Sequence, residues 1–415
     1  WRRTWVEIRR AMTRLTVVNS RSRSLRTSTV FKPTQAQEQA LALLRDGTKH
    51  SLLYGGSRSG KTTILTMAVV YRAVRYAGSR HLICRLRLKD IKSSILHETL
   101  KPLLFQVVGA GRYKVHVHEN YVSLANGSEI WIGGLGDREQ AERILGHEYN
   151  TIYFNEVSQL SYAAITMAHT RLAMTIPGCR NIFLYDCNPG SPLHWSYRMF
   201  IKGENPATGE AWKRPAQYRH LMMNPSDNQE NLPDDYITEI LDGLPDKKRQ
   251  RFRDGLWVKA EGCIYDGFHE GMLIDEADLP ELDSRSIGVD FGLNMAAVRV
   301  GFAGETVYIL GDHGGYNVTS RHFDEELTAR AWYEGLPGVY CDPAGGERIH
   351  EITGGQPASN SVESGIDYLR TRMERGEFYV VERRCPGIMS EIWDYRMEEE
   401  KVVKAPQKPV PASKT

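Results

Sequence analysis

The chain has 415 residues, of which 41% are hydrophobic and 25% charged, and its formal net charge is +2. This composition is ordinary for a globular protein, and no apolar run approaches the roughly 18 residues that a membrane-spanning helix requires. Because single hydrophobic cores stop growing at about 250–300 residues, the length predicts two domains. The six cysteines are scattered without Cys-x-x-Cys spacing, which argues against a zinc site or a disulfide framework and fits a reducing cytoplasm.

Residues 1–30 form a basic arm, with eight arginines against the single acid Glu7. Such an arm is expected either to contact nucleic acid or an acidic partner, or to be a solvated appendage, and the sequence favours neither.

After the arm, Phe31 begins a helical pattern that extends to about Arg45. Gln35 lies near its start, shortly before a glycine-rich segment. An amide side chain can donate and accept hydrogen bonds at once, so Gln35 is a candidate for contacting the adenine edge of a nucleotide. The alternative is a surface helix that begins with helix-favouring glutamines.

The next segment predicts a phosphate-binding loop between a strand and a helix. An apolar run ends at Tyr54, the pattern G-x-x-x-x-G-K-[ST] follows, and apolar residues then recur at helical spacing until Gly78. The glycines let consecutive N–H groups point at an anion, at the positive end of the helix dipole. Lys61 is expected to reach the β- and γ-phosphates and Thr62 a magnesium ion; the alternative is a Gly/Ser-rich turn. The candidate nucleotide-binding residues are Gly55, Gly56, Ser57, Arg58, Ser59, Gly60, Lys61, Thr62 and Thr63.

Further along, a strand at His81–Arg85 and a helix through Leu100 precede a hairpin. Two alternating strands flank Asn126-Gly127, the strongest short hairpin signal. We expect this hairpin to be an insertion into the strand–helix alternation.

The apolar strand that begins at Asn150 ends at Asn155-Glu156. Nucleotide hydrolases place the carboxylate that activates water at such a strand end, so Glu156 is the candidate general base. Asn155 stands where an Asp is usual, and its amide would at most position a metal-bound water or a hydroxyl. The alternative is a strand end that meets solvent.

A third strand leads from Asn181 to Asp186-Cys187-Asn188. Ligands bind at the carboxyl edge of parallel sheets, so Asn188 is expected to sense the γ-phosphate, unless Asn-Pro-Gly is an ordinary turn.

Residues 227–262 are helical and charged, and five basic residues lie near their end. We interpret them as a connector whose basic cluster contacts DNA or forms a solvated helix face. The second domain, from 263 to 400, begins with a three-stranded meander whose first strand carries Asp290, and a later strand presents Asp342. Two carboxylates on neighbouring strands predict a two-metal nuclease site.

In this order, the phosphate loop, Glu156, Asn188, the basic connector and Asp290 resemble the large terminase subunit of tailed bacteriophages. The resemblance implies an α/β fold, with a P-loop ATPase domain of mainly parallel sheet (31–226) before an RNase H-like α/β nuclease domain (263–400). It implies ATP and Mg²⁺ as cofactors, and Mg²⁺ or Mn²⁺ at Asp290 and Asp342. Arg58 matches the arginine inside the family's loop, and Arg138 or Arg143 resembles the arginine that a neighbouring subunit's site needs.

The resemblance further implies a motor that packages double-stranded DNA and a nuclease that cuts the concatemer. Its expected partners are the portal protein, the small terminase subunit and further copies in a ring, expected to be a pentamer. It would act in the host cytoplasm, transiently at the portal vertex of the procapsid, without a membrane partner. The family's third nuclease Asp has no match, so Glu391 and Asp394 are fallback ligands, and residues 401–415 are expected to be a disordered tail. A helicase or repair translocase of the P-loop class and a non-hydrolysing DNA-binding adaptor are the alternatives.

Overall fold

The computed structural model describes residues 33–393 and Tyr395, except residues 47, 137, 260–262, 336, 337 and 360. Two β-sheets account for its strands, one built from residues 50–222 and the other from residues 273–381. Helices and strands alternate along much of the chain, so the mixed α/β class predicted from the sequence is confirmed.

The first sheet is mainly parallel. Its strands are β1 (His50–Tyr54), β2 (Arg80–Arg85), β3 (Tyr113–His116), β4 (Tyr121–Leu124), β5 (Glu129–Gly134), β6 (Thr151–Phe154), β7 (Ile182–Cys187) and β8 (Tyr218–Met222). They lie in the order β3-β4-β5-β2-β6-β7-β1-β8. The six strands from β5 to β8 in this order run parallel, and β3 and β4 are antiparallel at one edge. The carboxyl ends of β6, β7 and β1 therefore meet at one edge of the sheet.

Helices connect these strands and cover them with apolar side chains. They are α1 (Gln35–Arg45), α2 (Lys61–Arg75), α3 (Leu88–Ile91), which continues through a π-helical stretch (Lys92–Leu100) into α4 (Lys101–Val107), α5 (Arg138–Leu145), α6 (Tyr162–His169) and α7 (Trp195–Tyr197). Ten of the fifteen residues of α2 are buried, which makes it the central helix of its layer. Because α2 begins at Lys61, this packing fixes the start of the helix against the sheet.

The hairpin around Asn126-Gly127 forms as predicted, with β4 antiparallel to β5 and Gly127 at φ 82°. However, β5 also pairs in parallel with β2 along six residues. The hairpin therefore extends the main sheet, and its interpretation as an insertion is wrong.

The connector is helical, as expected. A 3₁₀ segment (Pro225–Asn231) leads into it, and it contains a π-helical segment (Tyr236–Leu241) and α8 (Asp246–Phe252). Its first and last parts reach back to the phosphate-binding loop, as described below.

The second sheet combines an antiparallel meander with parallel strands on both sides. Its strands are β9 (Leu273–Ile274), β10 (Ser284–Asp290), β11 (Asn294–Ala303), β12 (Thr306–Tyr316), β13 (Gly338–Cys341), β14 (Gly355–Pro357) and β15 (Phe378–Val381), and its helices are α9 (Ser320–Ala329), α10 (Val362–Glu374) and α11 (Pro386–Glu391). The order is β14-β13-β10-β11-β12-β15-β9, with β10 to β12 antiparallel and β13 parallel to β10. This arrangement brings the carboxyl ends of β10 and β13 together.

The two sheet domains contact each other directly. The hydroxyl of Tyr316, at the end of β12, donates to the carbonyl oxygen of Leu135 at 2.5 Å. Ser161 Oγ lies 3.1 Å from Asn294 Oδ1. Leu193, from the loop after β7, is buried in the core of the second domain with Phe268.

Within the described part of the chain, no helix has the length and apolarity that spanning a membrane requires. The predicted arm at 1–30, the predicted tail at 401–415 and Asp394 lie outside the described residues, as does the side chain of Arg138.

Candidate active sites

The predicted phosphate-binding loop connects the carboxyl end of β1 to the start of α2. Gly55 has φ 133°, Arg58 φ 58° and Gly60 φ 88°, so three backbone positions of the loop lie in the left-handed half of conformational space. A Cβ at Gly55 would lie 2.2 Å from the carbonyl oxygen of Met223, so only glycine fits there. The backbone is therefore wrapped tightly in front of the helix N-terminus, as an anion-binding loop requires.

The ammonium group of Lys61 occupies the interior of this loop. It donates to the carbonyl oxygens of Gly56 at 2.6 Å and Gly55 at 3.1 Å, and to Ser59 Oγ at 3.0 Å. It also lies 3.3 Å from Oδ1 of Asn188, which follows β7. Burial lowers the pKa of Lys61, while the carboxylates near it act in the opposite direction. Lys61 thus joins the loop to the segment predicted to sense the γ-phosphate.

Glu156 follows β6 in a left-handed conformation, with φ 54° and ψ 56°. Burial raises the pKa of its carboxyl group, and the charge of Asp186 adds to this effect. Lys61 and Arg85 oppose the shift, because both carry positive charge near the carboxylate. A partly buried carboxylate with a raised pKa and cations beside it is typical of a general base.

Asp186 is the residue of this site that the sequence reasoning missed. It is 1% exposed on β7, and its Oδ2 accepts hydrogen bonds from Thr62 Oγ1 and Tyr153 Oη, both at 2.8 Å. Its Oδ1 accepts from the backbone N–H of Glu156 at 2.8 Å and from Asn155 Nδ2 at 2.9 Å. An acidic residue inside a buried strand was the available signal, since such a residue is almost never fully buried unless it is paired.

Gln37, and not Gln35, is the glutamine that lies against the loop. Thr34 caps α1, Gln35 is the exposed first residue of the helix, and Gln37 is 2% exposed. Gln37 Nε2 donates to Asn228 Oδ1 at 3.0 Å, and Asn228 Nδ2 donates to the carbonyl oxygen of Arg58 at 2.7 Å. The adenine contact of Gln35 stays a prediction, and Gln37 is the better placed candidate.

The predicted arginines lie in different places. The side chain of Arg58 is exposed on the loop. Arg143 is exposed on α5, and its guanidinium donates to the carbonyl oxygen of His118 at 3.3 Å. Arg85, at the end of β2, was not predicted; its Nε is buried and has no hydrogen-bond partner within the described structure.

The connector, and Asn224 just before it, are hydrogen-bonded to the phosphate-binding loop. Asn224 Oδ1 accepts from the N–H of Gly56 at 2.9 Å, and Asn224 Nδ2 donates to the carbonyl oxygen of Asp254 at 3.0 Å. The N–H of Ser57 donates to the carbonyl oxygen of Phe252 at 2.7 Å. The later part of the connector is thereby attached to the phosphate-binding loop, and its first part is attached through Asn228, which donates to the carbonyl oxygen of Arg58.

The two aspartates predicted as nuclease ligands are neighbours on adjacent strands. Asp290 is the last residue of β10, and Asp342 follows β13, which pairs with β10 in parallel. The N–H of Asp342 donates to the carbonyl oxygen of Val289 at 2.9 Å. Burial raises the pKa of Asp290, and the charge of Asp342 raises it further. Two close carboxylates of this kind repel each other until a cation binds between them.

Among the described residues, no third His, Cys, Asp or Glu joins this pair to form a metal-binding group. The fallback assignments of Glu391 and Asp394 stay predictions, and Asp394 lies outside the described residues.

A cavity of about 250 Å³ lies at the opposite edge of the first sheet, at the amino ends of β1 and β8. The hydroxyl of Tyr185 lies 2.9 Å from His50 Nδ1 and 2.8 Å from His169 Nε2 beside this cavity. Burial lowers the pKa of His50 to about 2 and that of His169 to about 3. Both imidazoles are therefore neutral, and the cavity is separate from the phosphate-binding loop.

A family model described as the N-terminal part of the T4likevirus-type terminase large subunit matches residues 52–272, more than half of the chain. No curated protein matches significantly. The large terminase of a thermophilic bacteriophage, solved in complex with ADP, is 20% identical over 88% of this chain and 91% of that chain, with a TM-score of 0.47. The HK97 bacteriophage large terminase is 10% identical over 90% of each chain, with a TM-score of 0.42. The P22 large terminase nuclease domain is 20% identical over 30% of this chain and 74% of that chain, with a TM-score of 0.26.

A phosphate-binding loop at the carboxyl edge of a mainly parallel sheet, with a carboxylate at the end of a central strand, defines an ATPase of the P-loop class. The family match makes this class specific, because it covers the loop and nearly all of the sheet that surrounds it. The chain belongs to the large terminase subunit family, whose members are the ATPases of phage DNA-packaging motors.

Proposed function

We propose that this chain hydrolyses ATP to move double-stranded DNA through the portal into an empty procapsid, and that its second domain cuts concatemeric DNA. The observation that carries the ATPase part is the position of Lys61. Its ammonium group contacts the loop carbonyl of Gly56 at 2.6 Å and Asn188 at 3.3 Å, and its charge opposes the rise that burial causes in the pKa of Glu156. One cation thus connects the loop, the predicted base and the predicted sensor.

In the proposed reaction, the N–H groups at the start of α2 and the ammonium group of Lys61 hold the β- and γ-phosphates. Glu156 accepts a proton from the attacking water, and the raised pKa of its carboxyl group makes it a stronger base than an exposed glutamate. Asn188 loses its phosphate contact after hydrolysis, and we propose that this change moves the loop that leads to Leu193 in the second domain.

The donor set at the loop fits magnesium. Thr62 and the neighbouring strand ends offer hydroxyl, amide and carboxylate oxygens, which are the ligands that this hard cation prefers. The Thr62 hydroxyl and the phosphate oxygens would together hold the magnesium ion. The ion would neutralise part of the phosphate charge. The Nδ2 of Asn155 lies 2.9 Å from Asp186 Oδ1, so the amide of Asn155 donates a hydrogen bond to Asp186.

Arg143 is proposed to act on the nucleotide of a neighbouring subunit, and Arg58 on the nucleotide of its own. Both guanidinium groups are at the surface, and Arg143 contacts a backbone carbonyl 25 residues away in sequence. An arginine that enters from outside stabilises the charge that develops during phosphoryl transfer. This role requires a ring of subunits, a pentamer in our proposal, docked on the portal in the host cytoplasm with DNA delivered by the small terminase subunit.

The nuclease part of the proposal depends on Asp290 and Asp342. Their strands are paired, and burial together with the charge of Asp342 raises the pKa of Asp290. Hard carboxylate oxygens suit Mg²⁺ or Mn²⁺, which would supply an activated water for phosphodiester cleavage. We propose that a further carboxylate from outside the described residues completes this site.

The test is packaging of duplex DNA into purified procapsids with ATP, measured as DNA protected from added nuclease. We expect protection with the natural chain and none with Lys61→Ala, while Lys49→Ala, at the opposite edge of the sheet, serves as the matched control. ATP turnover with strand separation would instead support a helicase or repair translocase. Absence of turnover in the docked complex would support the DNA-binding adaptor and contradict the motor.

A further inference from the structure

We infer that Asp186 supplies the carboxylate charge of the nucleotide-bound magnesium site, a function that position 155 cannot perform because it is an asparagine. Asp186 is a positioning residue in this proposal, and it acts through the hydroxyl of Thr62. The inference rests on the proposed ATPase function and names the residue that tunes its cation.

Asp186 is hydrogen-bonded directly to the first turn of the helix that follows the phosphate-binding loop. Thr62 Oγ1 donates its proton to Asp186 Oδ2 at 2.8 Å, across 124 residues of sequence. A hydroxyl has one proton and two lone pairs. Because the proton is committed to Asp186, the lone pairs of Thr62 remain available to a cation on the loop side. The carboxylate therefore fixes the hydroxyl in the orientation that a metal ligand needs.

The position of Asp186 in the sheet places it beside residue 155. It lies on β7, between β6, which ends just before Asn155, and β1, which leads into the loop. The register pairs Asp186 with Leu53 of β1 and its neighbour Tyr185 with Phe154 of β6. The side chain at position 186 is thus next to the side chain at position 155. The negative charge therefore lies on β7, one strand away from the position that an Asp at 155 would give it.

The groups around Asp186 donate hydrogen bonds to a single carboxylate charge. Asn155 Nδ2 lies 2.9 Å from Oδ1 and 3.2 Å from Oδ2 of Asp186, and a carboxylate next to an amide requires the NH₂ side of that amide. Tyr153 Oη and the N–H of Glu156 donate to the same carboxylate, each at 2.8 Å. Every neighbour named here is a neutral donor.

This complementarity explains why Asn155 is compatible with an active site. An Asp at 155 would place a second negative charge against Asp186, and like charges at this distance disfavour each other's ionised form. Asn155 instead stabilises the one carboxylate that is present. Positions 155 and 186 therefore form a pair in which one residue carries the charge and the other donates to it.

The experiment measures how strongly Mg²⁺ increases the affinity of the full-length chain for ATP, by titration in excess Mg²⁺ and in EDTA. The natural chain is expected to bind more tightly with Mg²⁺. Asp186→Asn is expected to lose about 10–100-fold of this Mg²⁺-dependent gain, the usual effect of removing a carboxylate that orients a metal ligand. Its affinity in EDTA should remain, because the loop and Lys61 are intact.

The exchanged variant, Asn155→Asp with Asp186→Asn, provides the decisive comparison. It restores one carboxylate and one amide on the same two strands, so the Mg²⁺-dependent gain should recover most of its original size. If Asp186→Asn alone does not fold, the exchanged variant still provides the test. Thermal unfolding without nucleotide checks that each variant is folded.

A double-mutant cycle tests the route through the hydroxyl. Thr62→Val should reduce the Mg²⁺-dependent gain as Asp186→Asn does, and the two losses should not add, since both remove one interaction. Thr62→Ser is the matched control and should retain the gain. An unchanged gain in Asp186→Asn, an exchanged variant that binds ATP without Mg²⁺ dependence, or fully additive losses would each overturn the inference. Absence of ATP binding by the natural chain would instead contradict the proposed ATPase itself.

Discussion

The backbone N–H of Ser57 donates to the carbonyl oxygen of Phe252 at 2.7 Å, so the phosphate-binding loop is hydrogen-bonded to the end of the connector. Asn224 bridges the same two segments, because it accepts from Gly56 and donates to the carbonyl oxygen of Asp254. A change in loop conformation on nucleotide binding would therefore reach the connector without an intervening layer of side chains.

Glu156→Gln should abolish ATP turnover while nucleotide binding survives. The amide keeps the size of the side chain but cannot accept a proton from water, and general bases contribute about 10²–10⁴-fold to rates. DNA-stimulated phosphate release measures turnover, and a fluorescent nucleotide measures binding. Glu148→Gln, at an exposed position outside the loop, is the control. Undiminished turnover in Glu156→Gln would remove the residue from its proposed role.

Gly255→Ala should weaken both the fold and nucleotide binding. A Cβ at Gly255 would lie 2.3 Å from Asn224 Oδ1 and 2.8 Å from the Cα of Gly55, at a backbone φ of 68°. The left-handed backbone alone costs about 1–2 kcal/mol, and the contact would displace the loop further. Urea unfolding and nucleotide titration measure the two effects.

Gly304→Ala is the matched control for this variant. Its φ is 55°, but a Cβ there meets no atom within 4 Å. It should show the backbone cost alone and leave nucleotide affinity unchanged. Equal nucleotide affinities in the two variants would mean that the contact between connector and loop does not shape the site.

The buried histidines beside Tyr185 should make the first domain less stable at acidic pH. The folded pKa values, about 2 for His50 and about 3 for His169, lie below the ordinary 6.5, so the unfolded chain binds more protons between these limits. Their contribution to stability is therefore complete above pH 6.5 and is lost as the pH falls towards 3. The expected slope is about 1 kcal/mol per pH unit for each histidine.

Urea unfolding at pH 7.5, 6.5 and 5.5 measures this slope. His169→Gln keeps an amide near Tyr185 but cannot take up a proton, so its stability should decline less steeply with falling pH. His118→Gln, at an exposed position, should leave the slope unchanged. A slope that is the same in His169→Gln and in the natural chain would contradict this assignment.

Asp290→Asn should remove divalent-cation binding by the second domain. The natural chain is expected to show a rise in melting temperature with Mn²⁺, because a ligand that binds only the folded state stabilises it by mass action. The variant should lose this rise and any Mn²⁺-dependent cleavage of plasmid DNA, while ATP turnover persists. Asp283→Asn, at the start of the same region, is the control. A retained Mn²⁺ response would exclude Asp290 as a ligand.

Arg143→Ala should reduce ATP turnover only in assemblies in which subunits contact one another. If the guanidinium acts on a neighbour's nucleotide, mixing Arg143→Ala with Glu156→Gln subunits on procapsids should restore part of the activity that neither variant shows alone. Arg171→Ala provides a control at another arginine. Lack of any restoration would indicate that Arg143 acts within its own subunit or not at all.

The arrangements that the sequence predicted and the structure contains depend on local patterns. The loop from Gly55 to Thr62 is one continuous segment between a strand and a helix, so its residues are neighbours in sequence and in space. Asp290 and Asp342 were expected to meet because parallel strands end at one edge, and the register of β10 with β13 brings them together. These arguments needed only spacing and strand direction.

The parts that sequence missed depend on distant partners. Asp186 meets Thr62 and Asn155 through strand order, which no local pattern specifies. Gln37 was overlooked because the start of α1 was placed four residues early, although Thr34-x-x-Gln37 is a capping-box pattern that fixes it. Short or exposed strands such as β8 and β14 have no clear alternation, and they form only because a neighbouring strand offers hydrogen bonds.

Leu193 follows Asn188 by only five residues and is already anchored in the core of the second domain. Five residues span at most roughly 18 Å even when fully extended, so little slack separates the two points. The chain itself is therefore a short mechanical tether between the phosphate-binding site and the second domain, so a displacement at Asn188 would be transmitted directly to Leu193.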